Sequence, residues 1–172
     1  LILDPEIMLE SNFITNIKYN DKSKNIKNLI KNFLYANNIV NLEADLNNSF
    51  SIDFDQTYKV QKYNFNINGK INKVDFDFKS ALQNSFVNQK INQLSLIESK
   101  IQTTFEPNKN SVNISGKYSL NKKKPLIFDI TNINNKELLK LSLNAEYNQP
   151  IELGLINYKK PKDIVANIFL NL

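Results

Sequence analysis

The stretch Val112-Asn113-Ile114-Ser115-Gly116-Lys117-Tyr118-Ser119-Leu120 decides how this chain is read. Val112, Ile114, Gly116, Tyr118 and Leu120 share one parity, and Asn113, Ser115, Lys117 and Ser119 share the other. Successive side chains of a strand point to opposite faces, so the alternation describes a ribbon with one apolar and one wet side. Leu139, Leu141, Leu143, Ala145 and Tyr147 repeat it against Lys140, Ser142, Asn144 and Glu146.

Working outward, the same period appears in Ile7 and Leu9, in Phe13 to Tyr19 and in Val40, Leu42, Ala44 and Leu46. It recurs in Phe50, Ile52 and Phe54, in Tyr63 to Ile71 and in Val74, Phe76 and Phe78. Ile97 to Phe105, Leu126 to Ile130, Ile151 to Leu155 and Ile164 to Leu172 complete the series. Turn residues stand between these runs about every ten residues, among them Asn47-Asn48, Pro107-Asn108-Lys109-Asn110 and Lys122-Lys123-Lys124-Pro125. Ser80–Asn92 is the least regular part and reads as a loop or short helix. The spacing predicts a mostly β chain of nine to eleven strands, folded as an antiparallel meander, sandwich or barrel. One amphipathic helix is predicted near residues 22–36. There Ile26, Leu29, Ile30, Phe33 and Leu34 fall at i, i+3, i+4, i+7 and i+8. Lys22, Lys24, Lys27 and Lys31 lie mostly off that stripe, which suits a helix covering the sheet with its lysines in water.

No Gly/Pro/Ser-rich linker divides the sequence, so residues 1–172 read as a single β-rich domain. The chain opens on Leu1 and stops within an alternating pattern at Leu172, and an internal segment of a longer protein is expected. Asn66-Ile67-Asn68-Gly69-Lys70-Ile71-Asn72 echoes Asn113-Ile114-Ser115-Gly116-Lys117-Tyr118-Ser119. Each glycine sits in mid-strand on the apolar parity, where it weakens a strand unless a bend or a close approach requires the room.

Composition narrows the chemistry. The chain has 172 residues, 41% of them hydrophobic and 23% charged, too apolar for a disordered polymer. It has no histidine and no cysteine, which removes the commonest general base, thiol nucleophiles and thiolate metal sites. Three glycines leave no room for a phosphate-cradling loop. The pairs Asp53/Asp55 and Asp75/Asp77 have the residue type for glycoside hydrolysis or calcium binding, but they lie on polar strand faces beside lysines. No catalytic residue, metal or cofactor is therefore expected, and the chain is not read as an enzyme. Net charge is +5, carried by scattered lysines without one arginine, so nucleic acid is not an expected partner.

What remains is the apolar side of the ribbons. Phe65, Ile67, Ile71, Phe76, Phe78, Ile101, Phe105, Ile114, Tyr118, Leu141, Leu143 and Tyr147 form the candidate lipid-binding face. If it closes on itself it is a core, and if it stays open it offers contact to phospholipid acyl chains.

The two N-I-[NS]-G-K-[IY]-[NS] stretches, the ribbon Leu138–Tyr147 and the closing Asp163–Leu172 resemble the AsmA-like family of Gram-negative envelope proteins. The resemblance implies a long curved sheet with a hydrophobic inner groove in the periplasm. It also implies an anchor in the inner membrane, through a segment not present here, and phospholipid movement between inner and outer membrane or support of outer-membrane biogenesis. The alternative reading is a passive structural or adhesive β-sandwich domain of a surface protein.

Overall fold

The computed structural model of the protein describes residues 7–20, 38–84 and 87–172. Ten strands follow one another: β1 Ile7–Asn20, β2 Ile39–Phe54, β3 Val60–Asn84, β4 Val87–Glu106, β5 Lys109–Leu120, β6 Leu126–Asn135, β7 Leu139–Tyr147, β8 Ile151–Leu153, β9 Tyr158–Lys160 and β10 Ala166–Asn171. The 3-10 turn Gly154–Ile156 joins β8 to β9. Eight strands form one sheet in the order β1-β2-β3-β4-β5-β6-β7-β10, antiparallel throughout, and β8 and β9 form a separate hairpin. The mostly β meander predicted from the alternation is what the chain forms. The predicted helix near 22–36 lies outside the described residues.

The structure revises several local readings. Asn47-Asn48 is no turn, because β2 runs through it. Tyr63 to Ile71 and Val74 to Phe78 are one strand, β3; within the stretch read as a loop or short helix, residues 80–84 end β3 and residues 87–92 begin β4. Asp55 has left the strand: its Oδ1 accepts from Thr57 N (2.8 Å), Thr57 Oγ1 (2.7 Å) and Lys59 N (3.0 Å), closing the turn into β3.

Residues directly opposite in antiparallel strands share a face. One row can be followed across the whole sheet: Thr15, Leu46, Gly69, Ile101, Ile114, Ile130, Leu143, Leu170. At about 4.8 Å per strand it spans about 34 Å. A second runs Tyr19, Leu42, Val74, Leu96, Tyr118, Leu126. The opposite side carries Asn20, Asn41, Asp75, Ser95 and Ser119. One face is therefore apolar over eight strands and the other polar.

Two strands change phase to keep this so. In β3 the apolar set shifts from Ile67, Gly69 and Ile71 to Val74 and Phe76, and in β4 from Leu94 and Leu96 to Ile101 and Thr103. Ala44 pairs with Ile71 but Glu43 with Lys73, and Lys117 pairs with Ile97 but Ser115 with Lys100, so Asn72 is extra relative to β2 and Glu98 relative to β5; the two face each other within the β3–β4 register, which is unbroken there. Glu98 takes a left-handed φ of 48°, a device that bulges use to add a residue. Both extra side chains are tied on the polar face, Asn72 Nδ2 donating to Asp45 Oδ2 (2.7 Å) and Lys117 Nζ pairing with Glu98 Oε2 (2.8 Å). Ile97, read from sequence with the apolar set, instead opposes Lys117 on the polar side.

The bulge explains the echoed glycines. A methyl group on Gly116 would fall onto Ser99, 2.7 Å from its Cβ and nearer still to its Cα, and Ser99 is fully buried. A methyl on Gly69 would strike the Asp45 carbonyl and lie 2.8 Å from Leu46 Cα. The neighbouring strands press in where β3 and β4 bulge, so a side chain at either glycine meets backbone. Gly116→Ala should cost about 2 kcal/mol by overpacking. That corresponds to about 4–8 °C in thermal midpoint for a domain of this size, whereas Gly154→Ala, with open space around it, should shift the midpoint by less than about 1 °C; differential scanning calorimetry reads both.

Candidate functional site

The structure brings all twelve sequence-predicted residues onto the same face. Phe65, Ile67, Ile71, Phe76 and Phe78 come from β3, Ile101 and Phe105 from β4, Ile114 and Tyr118 from β5, and Leu141, Leu143 and Tyr147 from β7. Phe65 and Phe105 are cross-strand partners with rings stacked at 6.2 Å. Phe76 and Phe78 stack at 6.5 Å, two residues apart on one side of β3. Ile101 faces Ile114, and Leu143 follows through Ile130. Eleven of the twelve are half-buried and Tyr147 alone is buried, at 5% exposure.

That partial exposure follows from the architecture. Among the described residues each strand packs chiefly on its sheet neighbours, and β8 also lies against β4. The outer strands β1 and β10 do not pair with each other, so the sheet stays open. Buried apolar side chains are accordingly few: Tyr19, Ala44, Val74, Leu126, Phe128 and Tyr147. Three of them, Leu126, Phe128 and Tyr147, mark the end where the β8–β9 hairpin folds back. Toward the other end the face is open, with Leu9 50% and Phe13 44% exposed.

The face is wider than the candidate set. Leu9, Phe13, Leu46, Phe50, Phe128, Ile130, Ile168 and Leu170 share it through their cross-strand partners. Their alternation is visible in the sequence, and only the register shows that it joins the same side. Polar groups interrupt the apolar field along one row: Phe13, Asn48, Ile67, Thr103, Val112, Asn132, Leu141. The amide of Asn48 is satisfied by Thr15 Oγ1 (2.9 Å) and the Phe13 carbonyl (3.3 Å). Thr103 Oγ1 and Asn132 Oδ1 are buried without a hydrogen-bond partner among the described residues.

At the hairpin end the Tyr118 hydroxyl donates to the Glu146 carbonyl oxygen. Burial, with the neighbouring Tyr147 and Glu146 adding to it, pushes Tyr118 up to about 12. Burial also raises Tyr147. Both phenols thus stay neutral at any physiological pH.

The acidic pairs resolve into the polar face. Asp77 is exposed, and Asp53, half-buried, has one carboxylate oxygen buried without a partner among the described residues. No group of three or more acidic side chains placed to hold a metal ion occurs among the described residues. No helix among them is long and apolar enough to cross a membrane, which says nothing of strands. Asp75, 5% exposed, anchors a cross-strand network: Ser95 Oγ donates at 2.6 Å, Asn41 Nδ2 at 2.9 Å, and Lys73 Nζ lies at 3.0 Å. Asn20 Nδ2 extends it to Asn41 Oδ1 at 2.7 Å. Burial pushes the Asp75 carboxyl upward, but the hydrogen bonds from Ser95, Asn41 and Lys73 outweigh it and hold the group below its ordinary value. The depressed value means stability that is present at neutral pH and drains as pH falls through the ordinary carboxylate range toward the folded value. Asp75→Asn should therefore destabilise the protein by about 1–3 kcal/mol at pH 7, with the gap to the parent protein narrowing below about pH 4; urea unfolding of both proteins across pH 3–7 measures it.

Comparison with known protein families, with curated proteins and with solved structures yields no match for this chain.

Proposed function

We propose that the apolar face holds the acyl chains of phospholipid, and that the chain is a segment of an envelope protein that conducts such lipids between the inner and outer membranes. The observation that carries this reading is the open face itself: an apolar field eight strands wide, half-exposed over most of its residues. A soluble monomer rarely exposes a contiguous apolar patch above roughly a few hundred Å².

The energetics favour a lipid with two chains. Full burial of a methylene is worth about 0.8 kcal/mol. Contact on one side halves that, so about twelve methylenes gain about 5 kcal/mol. A single chain is then comparable to the cost of association, about 4–15 kcal/mol. Two chains on one glycerol double the gain against one such cost. No specific polar contact is needed along the face, which suits a surface over which lipid slides. The resemblance to the AsmA-like family supplies the setting: the periplasm, with the inner membrane reached through a segment outside this sequence.

Protein expressed into the periplasm of a Gram-negative host should carry phospholipid when examined by native mass spectrometry. Ile101→Asp with Ile114→Asp sets two charges opposite each other in the middle of the face and should reduce bound lipid at least about tenfold, a loss of about 1.4 kcal/mol or more. Gln102→Asp with Asn113→Asp, an equally charged pair facing each other on the polar side, should leave it unchanged. Parent protein free of lipid under conditions that preserve lipid complexes would sink the proposal.

A further inference from the structure

The strongest unexplained feature is a buried cation at the hairpin end of the apolar face. Lys160, the last residue of β9, is only 4% exposed. Its ammonium donates to the Ile164 carbonyl (2.5 Å) and the Pro161 carbonyl (3.2 Å) and lies 5.8 Å above the Tyr147 ring. No carboxylate stands within 4.0 Å of it among the described residues, although Lys18, Lys73, Lys117 and Lys159 all have one. An ammonium has three protons to donate, and two carbonyls take two of them. Buried charges are ordinarily paired, because an uncompensated one costs several kcal/mol of lost hydration.

The tyrosine beneath it is also incomplete. The Tyr147 hydroxyl is buried and has no hydrogen-bond partner among the described residues, where a phenol at 5% exposure ordinarily finds one. Lys123, from the β5–β6 connection, reaches Gln149, two residues beyond Tyr147, at 2.8 Å. This corner thus holds a spare ammonium proton and an unused phenol. It stands where the apolar face ends, beside Ala145 and Phe128.

We propose that Lys160 and Tyr147 bind the phosphate of a phospholipid whose acyl chains lie on the apolar face. The inference rests on the function proposed above and adds the headgroup. A phosphate oxygen takes the third ammonium proton and the phenolic proton and supplies the missing negative charge, as charge-assisted hydrogen bonds to phosphate do. The chains then run from this corner across Phe128 and Ile130 toward the open side.

The test uses two soluble ligands that differ only in the phosphate, dihexanoyl phosphatidate and dihexanoylglycerol, with inorganic phosphate as a third arm, all by isothermal titration calorimetry on the full chain. The phosphatidate should bind at least tenfold more tightly than the diacylglycerol, and inorganic phosphate should bind far more weakly than either. Tyr147→Phe removes a single oxygen that has no partner among the described residues and keeps the ring, and it should reduce the preference severalfold; Lys160→Met should abolish it. Equal binding of the two lipids, or a preference that survives both variants, would overturn the headgroup site while leaving the apolar face as a lipid surface. Inorganic phosphate binding as tightly as phosphatidate would overturn the lipid assignment of the site. Binding of neither lipid would overturn the headgroup site, because chains this short are not held without the phosphate contact; the function proposed above is decided separately, by the long-chain lipid that native mass spectrometry finds or does not find.

Discussion

Everything in this molecule depends on keeping one phase across eight strands. A strand slipped by one residue exchanges its faces completely, so a single error between neighbours would drive an apolar row into the polar side. The chain meets this constraint even where it inserts residues. Asn72 in β3 and Glu98 in β4 are additions that oppose one another, so the two strands remain in register while both change parity relative to β2 and β5. One insertion alone would leave the halves of the β3–β4 pair out of phase. The side chains that pin the insertions, Asp45 on Asn72 and Lys117 on Glu98, are drawn from the flanking strands β2 and β5. Gly69 and Gly116 complete the arrangement by giving those flanking strands room to approach.

A single-layer sheet cannot draw its stability from a dry core, and here the polar face supplies much of what a second layer supplies elsewhere. Asparagine, about thirty residues of the chain, is the residue type that does this. Its amide both donates and accepts, so it links a strand on each side. Asn20, Asn41, Asp75 and Ser95 form such a ladder over four strands, and Asn16, Asp45 and Asn72 form another over three. Asn64, Asn66 and Thr104 make a third at the far end. The hydrogen bonds from Asn16 and Asn72 hold the Asp45 carboxylate below its ordinary value. Each exposed link is worth little, but a net contribution of about 0.5–1.5 kcal/mol for a buried hydrogen bond makes the Asp75 network comparable to a core contact.

The sequence makes the ribbons and their apolar side legible because period-2 alternation is a local signal. The twelve candidate face residues gather on one side for that reason. The breaks in phase were legible too, between Ile71 and Val74, but their meaning was not: a bulge and a turn leave the same mark on alternation, and only pairing separates them. Asn47-Asn48 shows the same ambiguity. Two asparagines usually signal a turn, yet Asn48 spends its amide on Thr15 and Phe13 of the neighbouring strand and β2 continues. Ile97 was misplaced because the left-handed residue after it, Glu98, is not a glycine. The hairpin over Tyr147 was beyond reach, since Lys160 and Tyr147 meet through folding of the chain rather than through any pattern.

The two ends of the apolar face differ in what they demand. Across the open end the lining is Leu9, Phe13 and their neighbours, with no charge on that side of the sheet, so contact with it is non-directional and scales with area. At the hairpin end the same face runs under a covering strand and meets an ammonium. A ligand apolar throughout would satisfy the first and leave the second charge unpaired. A small anion would satisfy the second and leave the wide apolar field in water. The physical asymmetry of the face is therefore between a wide region whose cost is exposed apolar area and a narrow corner whose cost is a buried ammonium, and the two costs differ in kind.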